Sequence, residues 1–182
     1  MRIIGGTHRG RILERVGKDS TRESADMVKL AVFNMIGVDM HGVVLDLFAG
    51  SGAYGLESLS RGADLSYLVD LDRDAIKTIK KNAIQLKLED QTMIFNQDYQ
   101  KFMDGLNDTI LFDYIFLDPP YEMDVYVHII KKLSSNIRDH GLVVCESHKK
   151  ISLPNEIDNL VKIKEKVYGI KRVTIYEKTV II

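Results

Sequence analysis

Val43-Val44-Leu45-Asp46-Leu47-Phe48-Ala49-Gly50-Ser51-Gly52 is an apolar run that ends on an acid and then breaks into glycines. Residues 43–47 read as a buried strand, and residues 53–61 as a helix stopped by Gly62. Between them Gly50, Gly52 and, one turn on, Gly55 stand in G-x-G-x-x-G spacing. Glycines let the backbone turn sharply and approach a ligand with no side chain between. The helix that follows aims its first amides at that ligand.

Outward from this point strand and helix patterns alternate. Residues 65–70, 92–95, 114–118 and 142–146 read as strands. Residues 73–86, 98–105 and 125–137 read as helices. Apolar strands separated by helices mean a sheet covered on both faces, so the fold class is α/β, Rossmann-like, with a mostly parallel twisted sheet and right-handed crossovers. Residues 160–168 and 172–180 alternate around Tyr168-Gly169 and predict an antiparallel hairpin at one edge. Ahead of the alternation, residues 1–16 read as two short strands around Gly5-Gly6 and Gly10. Residues 24–36 read as a helix with Ser24 as candidate N-cap. The division is an N-terminal extension, 1–36, and one domain, 37–182. In such a sheet ligands bind outside the carboxyl ends of the strands, where strand order reverses.

Composition agrees with one globular domain of 182 residues, 45 % of them apolar, with a mean hydropathy of -0.08. No run approaches the ~20 apolar residues of a membrane span, and Met1-Arg2-Ile3-Ile4-Gly5 lacks the apolar stretch of a signal peptide. The single cysteine, Cys145, lies in an apolar run and reads as a buried small hydrophobe. These points favour the cytoplasm, and nothing demands more than a monomer. The net charge of -1 hides an asymmetry. Residues 1–22 carry six Lys/Arg against two acids, and residues 149–182 carry eight against four, so each end is +4 and the middle is -9. Basic ends on an acidic body are where a polyanion could touch. His8-Arg9-Gly10-Arg11 is the candidate nucleic-acid contact in the first of these ends.

The glycine spacing alone serves a nicotinamide dinucleotide as well as S-adenosylmethionine. Either needs an acid about 20 residues on to grip ribose hydroxyls, and Asp70 stands there. Asp46 favours the second cofactor. An anion ahead of the glycines repels pyrophosphate but suits a sulfonium or an amino-acid ammonium. Asp98, after the third strand, is a candidate for adenine recognition and equally for a helix N-cap. Asp74 reads as a charge complementing a helix dipole, and Asp72 as either that or a ligand contact. Phe48, Ala49 and Ser51 in the loop, and Leu71 beside Asp70, complete the candidate cofactor set.

A second apolar run, Tyr114-Ile115-Phe116-Leu117, closes on Asp118-Pro119-Pro120-Tyr121, with two of the chain's three prolines. Proline has no amide hydrogen and holds the preceding residue extended. Asp118 and the Pro119 carbonyl thus form two rigid acceptors for one amino group, and Tyr121 offers a flat face for a base. Two acceptors on a nucleobase amine favour pyramidalisation and free its lone pair for in-line attack on a methyl group. Glycine loop and clamp together imply methyl transfer from S-adenosylmethionine to an exocyclic amine of a nucleobase. Cys145, Glu146 and His148 end the next strand on the same rim. No H-x-x-H, C-x-x-C or paired-carboxylate pattern calls for a metal.

These residues resemble the RsmD family, bacterial methyltransferases of small-subunit ribosomal RNA acting on guanine N2. The resemblance rests on Met1-Arg2-Ile3-Ile4-Gly5-Gly6, Gly10-Arg11, Thr21-Arg22, Phe33-Asn34, Leu45 to Gly52, Glu57-Ser58-Leu59-Ser60-Arg61-Gly62-Ala63 and Phe116 to Tyr121. It implies S-adenosylmethionine as cofactor, 16S rRNA within the small ribosomal subunit as substrate, and an N-terminal extension that helps hold RNA. By position it implies Asp46, Gly50 and Gly52 at the methionine end, Asp70 at the ribose and Asp98 at the adenine. Asp118, Pro119 and Tyr121 would hold the guanine, and Thr21 and Arg22 would lie near the cofactor and RNA entrance. The chain departs from the family pattern in three places: Glu23 for Pro, Asp70 for Glu, and Ile170-Lys171 for Asp-Thr. Alternatives are a nucleic-acid adenine-N6 methyltransferase, since the clamp serves either amine, a dinucleotide-dependent oxidoreductase, and a non-catalytic RNA-binding protein.

Overall fold

The computed structural model describes residues 1–17, 22–120 and 123–180, the side chains of residues 22–24 excepted. Five strands form the parallel part of one sheet: β1 (Val43–Asp46), β2 (Leu65–Asp70), β3 (Thr92–Asn96), β4 (Phe112–Leu117) and β5 (Ile137–His148). Then come β6 (Glu156–Ile157), β7 (Leu160–Tyr168) and β8 (Lys171–Lys178), joined antiparallel. The order across the sheet is β3-β2-β1-β4-β5-β8-β7-β6, so the direction of winding reverses between β1 and β4. Helices α1 (Arg22–Ile36), α2 (Ala53–Ser60) and α3 (Arg73–Leu86) accompany the first half, and α4 (Tyr99–Asp104) and α5 (Tyr126–Leu133) the second.

Side-chain parity divides the core. Leu45, Ile115, Leu117, Val143 and Cys145 point to the face under α4 and α5, where they meet Phe102, Tyr126, Ile129 and Ile130. Their neighbours Val44, Tyr114, Phe116, Val144 and Val173 point to the opposite face, with Val32 and Phe33 of α1 and Leu56 of α2. Ile3 and Leu13 of the N-terminal segment join that second cluster, so the segment is packed into the body of the protein. Each such buried side chain contributes about 1.5–3 kcal/mol.

Several boundaries differ from the sequence reading. The N-terminal segment forms turns closed by a single bridge, Arg2 to Ile12, instead of two strands. Helix α1 starts at Arg22, so Ser24 lies within the first turn and not ahead of it. Helix α5 stops at Leu133. Ser134–Asn136 forms a 3-10 turn, and Ile137 opens β5. Leu133 and Ile137 have helical spacing, but Ser134 Oγ donates locally to the Lys131 carbonyl, and Asn136 is drawn away by its bonds to the Asn107 and Ile110 carbonyls. The short strand β6 carries too little pattern to be read.

Candidate active site

Where the sheet reverses, the carboxyl ends of β1 and β4 lie side by side, with Asp46 opposite Phe116. The chain leaves β1 through Gly50 and Gly52, with φ of 55° and 85°. These left-handed values strain any residue with a Cβ, so only glycine makes this turn without cost. Gly55 answers a different need. A Cβ there would stand 2.5 Å from Leu68 Cδ2 and 2.7 Å from Ser66 Oγ, because α2 lies close on β2.

Two acids and one amide pin this loop. Asp46 Oδ2 accepts from the Gly55 amide at 3.0 Å and satisfies the open end of α2. Asp70 Oδ2 accepts from the Gly50 amide at 2.8 Å, and its Oδ1 from the Asp72 amide at 2.9 Å. Asn82, fully buried on α3, donates to the Ser51 carbonyl at 3.0 Å. Asp72 caps α3 through the Asp74 amide, and Asp98 caps α4 through the Gln100 amide.

One cavity of about 690 Å³ joins the loop to the clamp. Phe48, Ala49, Gly50, Ser51, Asp70, Leu71 and Asp98 line one part, and Asp118, Pro119 and Pro120 another. Asp46 and Gly52 lie beneath this wall and not on it. Asp46 is 2 % exposed. Burial, reinforced by the Asp70 and Glu146 carboxylates against the opposing Gly55 hydrogen bond, pushes its carboxyl up to about 7. Asp118 is half-buried. Burial first, then Glu146 and Asp46, with Lys171 opposing, push it up to about 8. The Pro120 carbonyl accepts from the Met123 amide at 3.0 Å. Tyr121 and Thr21 lie outside the described residues, as does the Arg22 side chain.

Behind the clamp stands a group the sequence reading did not assemble. The Tyr54 hydroxyl donates to Glu146 Oε2 at 2.7 Å, and the Lys171 ammonium donates to Glu146 Oε1. Tyr54 stacks on Phe116 with centroids 4.9 Å apart and an interplanar angle of 16°. The signal was available in strand parity. Asp46, Asp118, Glu146 and Lys171 each continue a row, Val44, Phe116, Val144 and Val173, that faces one side of the sheet.

The N-terminal candidates have structural duties. His8 Nε2 lies 2.9 Å from the Leu86 carbonyl, and Arg11 Nη2 donates to the Gln85 carbonyl at 2.8 Å, at the carboxyl end of α3. Arg9 lines a separate groove of about 780 Å³ with Asn34, Asp39 and Arg61. Beneath that groove Glu57, fully buried, binds Lys29 at 3.1 Å and Arg61 at 3.0 Å, and accepts from the Ile4 and Gly5 amides. Burial lowers the pKa of Lys29 against the pull of Glu57.

Residues 1–177 match the family model described as Conserved hypothetical protein 95. The chain belongs to the RsmD family. Within the family, YlbH of Bacillus subtilis is 36 % identical over 98 % of this chain and 99 % of its own length. Ribosomal RNA small subunit methyltransferase D of Haemophilus influenzae is 33 % identical over 97 % of this chain and 93 % of that protein. The solved structure of yhhF from Escherichia coli is 32 % identical and superposes with a TM-score of 0.84 over 98 % of both chains. The family is one of methyltransferases, and the α/β sheet with its antiparallel C-terminal hairpin is a methyltransferase fold. Among the described residues no helix is long and apolar enough to cross a membrane.

Proposed function

We propose that this chain transfers a methyl group from S-adenosylmethionine to the N2 amine of a guanine in 16S rRNA of the small ribosomal subunit. The observation that carries the reading is the single cavity with Gly50 on one wall and Asp118 on another. The relative named for small-subunit rRNA methylation matches almost the whole chain, which supports the substrate class.

The residues present fit the cofactor. Asp26, Asp70, Asp98, Asp118 and Glu146 line the cavity against Lys29 and Lys171, which favours a phosphate-free cation over a dinucleotide. Asp26 Oδ1 is buried with no hydrogen-bond partner. A Cβ on Gly50 would meet nothing within 4 Å, so backbone borders open space there. The Gly50–Ser51 loop would hold the methionine end, Asp70 the ribose and Asp98 the adenine. Asp46 would act from beneath, through its field and its hold on α2. When bound, S-adenosylmethionine supplies an electrophilic methyl; the N–C bond forms, the S–C electron pair returns to sulfur, and the amine loses one proton.

The amine is a poor nucleophile because its lone pair is delocalised into the ring. Asp118 and the Pro119 carbonyl accept its two hydrogens and orient the lone pair for in-line attack. Asp118 does not deprotonate the amine beforehand, since that group is far too weak an acid; it assists proton loss afterwards. Tyr121 stacks on the base. Positioning supplies much of the acceleration. Residues 1–36, with Arg9, Arg11 and Arg22 as cations and His8 and Thr21 beside them, act as the RNA-contacting extension.

The test is incubation with labelled S-adenosylmethionine and small subunits lacking the modification, followed by digestion to nucleosides. N2-methylguanosine is the expected product. N6-methyladenosine would overturn the target base, and absence of label would overturn the activity.

A further inference from the structure

We infer that Lys171 is a positioning residue for methyl transfer, its ammonium offsetting the negative charge of Glu146 and Asp118 so that the Asp118 carboxyl gives up its proton more readily beside the target amine. The inference rests on the methyl-transfer reading above, and it concerns a position where the chain departs from its family's pattern.

Three observations carry it. First, Lys171 reaches the site by sheet geometry. It opens β8 opposite His148, while Glu146 pairs with Val173. Lys171 and Glu146 are therefore diagonal neighbours on one face, within reach of a long side chain. Second, the ammonium is bound to Glu146 Oε1 while Tyr54 holds Oε2, so the carboxylate is fixed at both oxygens. Third, Lys171 lines the main cavity and also a smaller one of about 160 Å³ behind it, and Asp118 and Glu146 border both. The ammonium thus stands beside Asp118, just past β4, and Glu146, near the end of β5.

Without a cation there, three carboxylates converge at one buried rim: Asp46, Asp118 and Glu146. Like charges in a dry site cannot all ionise. A protonated Asp118 offers one acceptor fewer and turns a donor toward the amine. The groups facing Asp118 are Asp46 from β1, Tyr54 from α2, Glu146 and His148 from β5, Tyr126 from α5, and Lys171 from β8. Across the cavity lie Met1, Asp26 and Lys29 on one side, and Asp70, Asp98 and Tyr99 on the other. Lys171 opposes the upward push on Asp118. In return, Glu146 and Asp118 outweigh the cost of burying the ammonium and raise its own pKa.

The experiment is a pH–rate profile of total methyl transfer to small subunits for the full chain, Lys171→Met, Lys171→Gln and Lys171→Arg. The neutral variants are expected to move the acid limb up by about one pH unit, a roughly tenfold loss below it, and to approach wild-type rate on the alkaline plateau. Lys171→Arg is expected to keep the wild-type limb. Calorimetry with S-adenosylhomocysteine identifies which variants are folded. A uniform loss at every pH with an unmoved limb, or no loss in either neutral variant, would overturn the inference. Because the readout is total transfer, label on a base other than guanine would sink the guanine reading and leave the limb shift legible.

Discussion

Asp118 and Asp46 are acids held in surroundings that resist their charge. For Asp118 this sets activity. Only when ionised does Asp118 present the amine with acceptors and no competing donor, and its carboxyl is pushed up to about 8. The acid limb of kcat/KM is therefore expected near pH 8, and a limb at the ordinary carboxylate value would remove Asp118 from the titration. For Asp46 the burial sets stability. Its folded value, about 7, lies above its ordinary 3.8, so the folded chain binds that proton more tightly. Stability from this group is complete below about pH 3.8 and is lost as pH rises to about 7. Asn keeps an acceptor for the Gly55 amide without the charge. In thermal melts Asp46→Asn is expected to gain on the wild type across that window, by about 1 kcal/mol or more and roughly 2–4 °C. A constant difference between the two proteins from pH 4 to 8 would contradict this.

Elements were legible where pattern and packing agree. Strand β2 and helix α3 stand at the residues their patterns mark, because α3 is long and amphipathic and β2 is a mostly apolar, buried run. The glycine turn and the Pro119–Pro120 rim were legible from residue type alone. Less legible were contacts made by single side chains far apart in sequence. Glu57 joins α1, α2 and the N-terminal segment, yet in sequence it is one acid on a helix. Glu57→Gln would leave Lys29 and Arg61 buried without their counter-charge. A loss of about 3–5 kcal/mol is expected, read as a lower denaturation midpoint in urea; a loss below about 1 kcal/mol would mean the cluster does not tie the segment down. The Gly55 contact with Leu68 and Ser66 is of the same long-range kind. Gly55→Ala is expected to cost about 1–3 kcal/mol through overpacking, measurable in the same titration.

On the scale of the whole molecule, the charge asymmetry of the sequence becomes a geometry. The acidic middle of the chain supplies the cavity wall, while the basic ends supply Lys171 at the site and Arg9 at the groove beside the N-terminal segment. Arg9→Ala with Arg11→Ala is expected to weaken RNA binding and flatten its salt dependence by about one contact for each arginine that meets phosphate. His8 and Arg11 already serve the end of α3, so most of that loss should track Arg9. An unchanged salt slope would place the RNA elsewhere. The most direct test of the account compares single-turnover transfer by the wild type and by Asp118→Ala on small subunits, with the methylated nucleoside identified. Wild type should yield N2-methylguanosine, while Asp118→Ala should bind S-adenosylhomocysteine as tightly and transfer methyl about 10² times more slowly or worse. Equal rates, or a wild-type product other than N2-methylguanosine, would contradict the account.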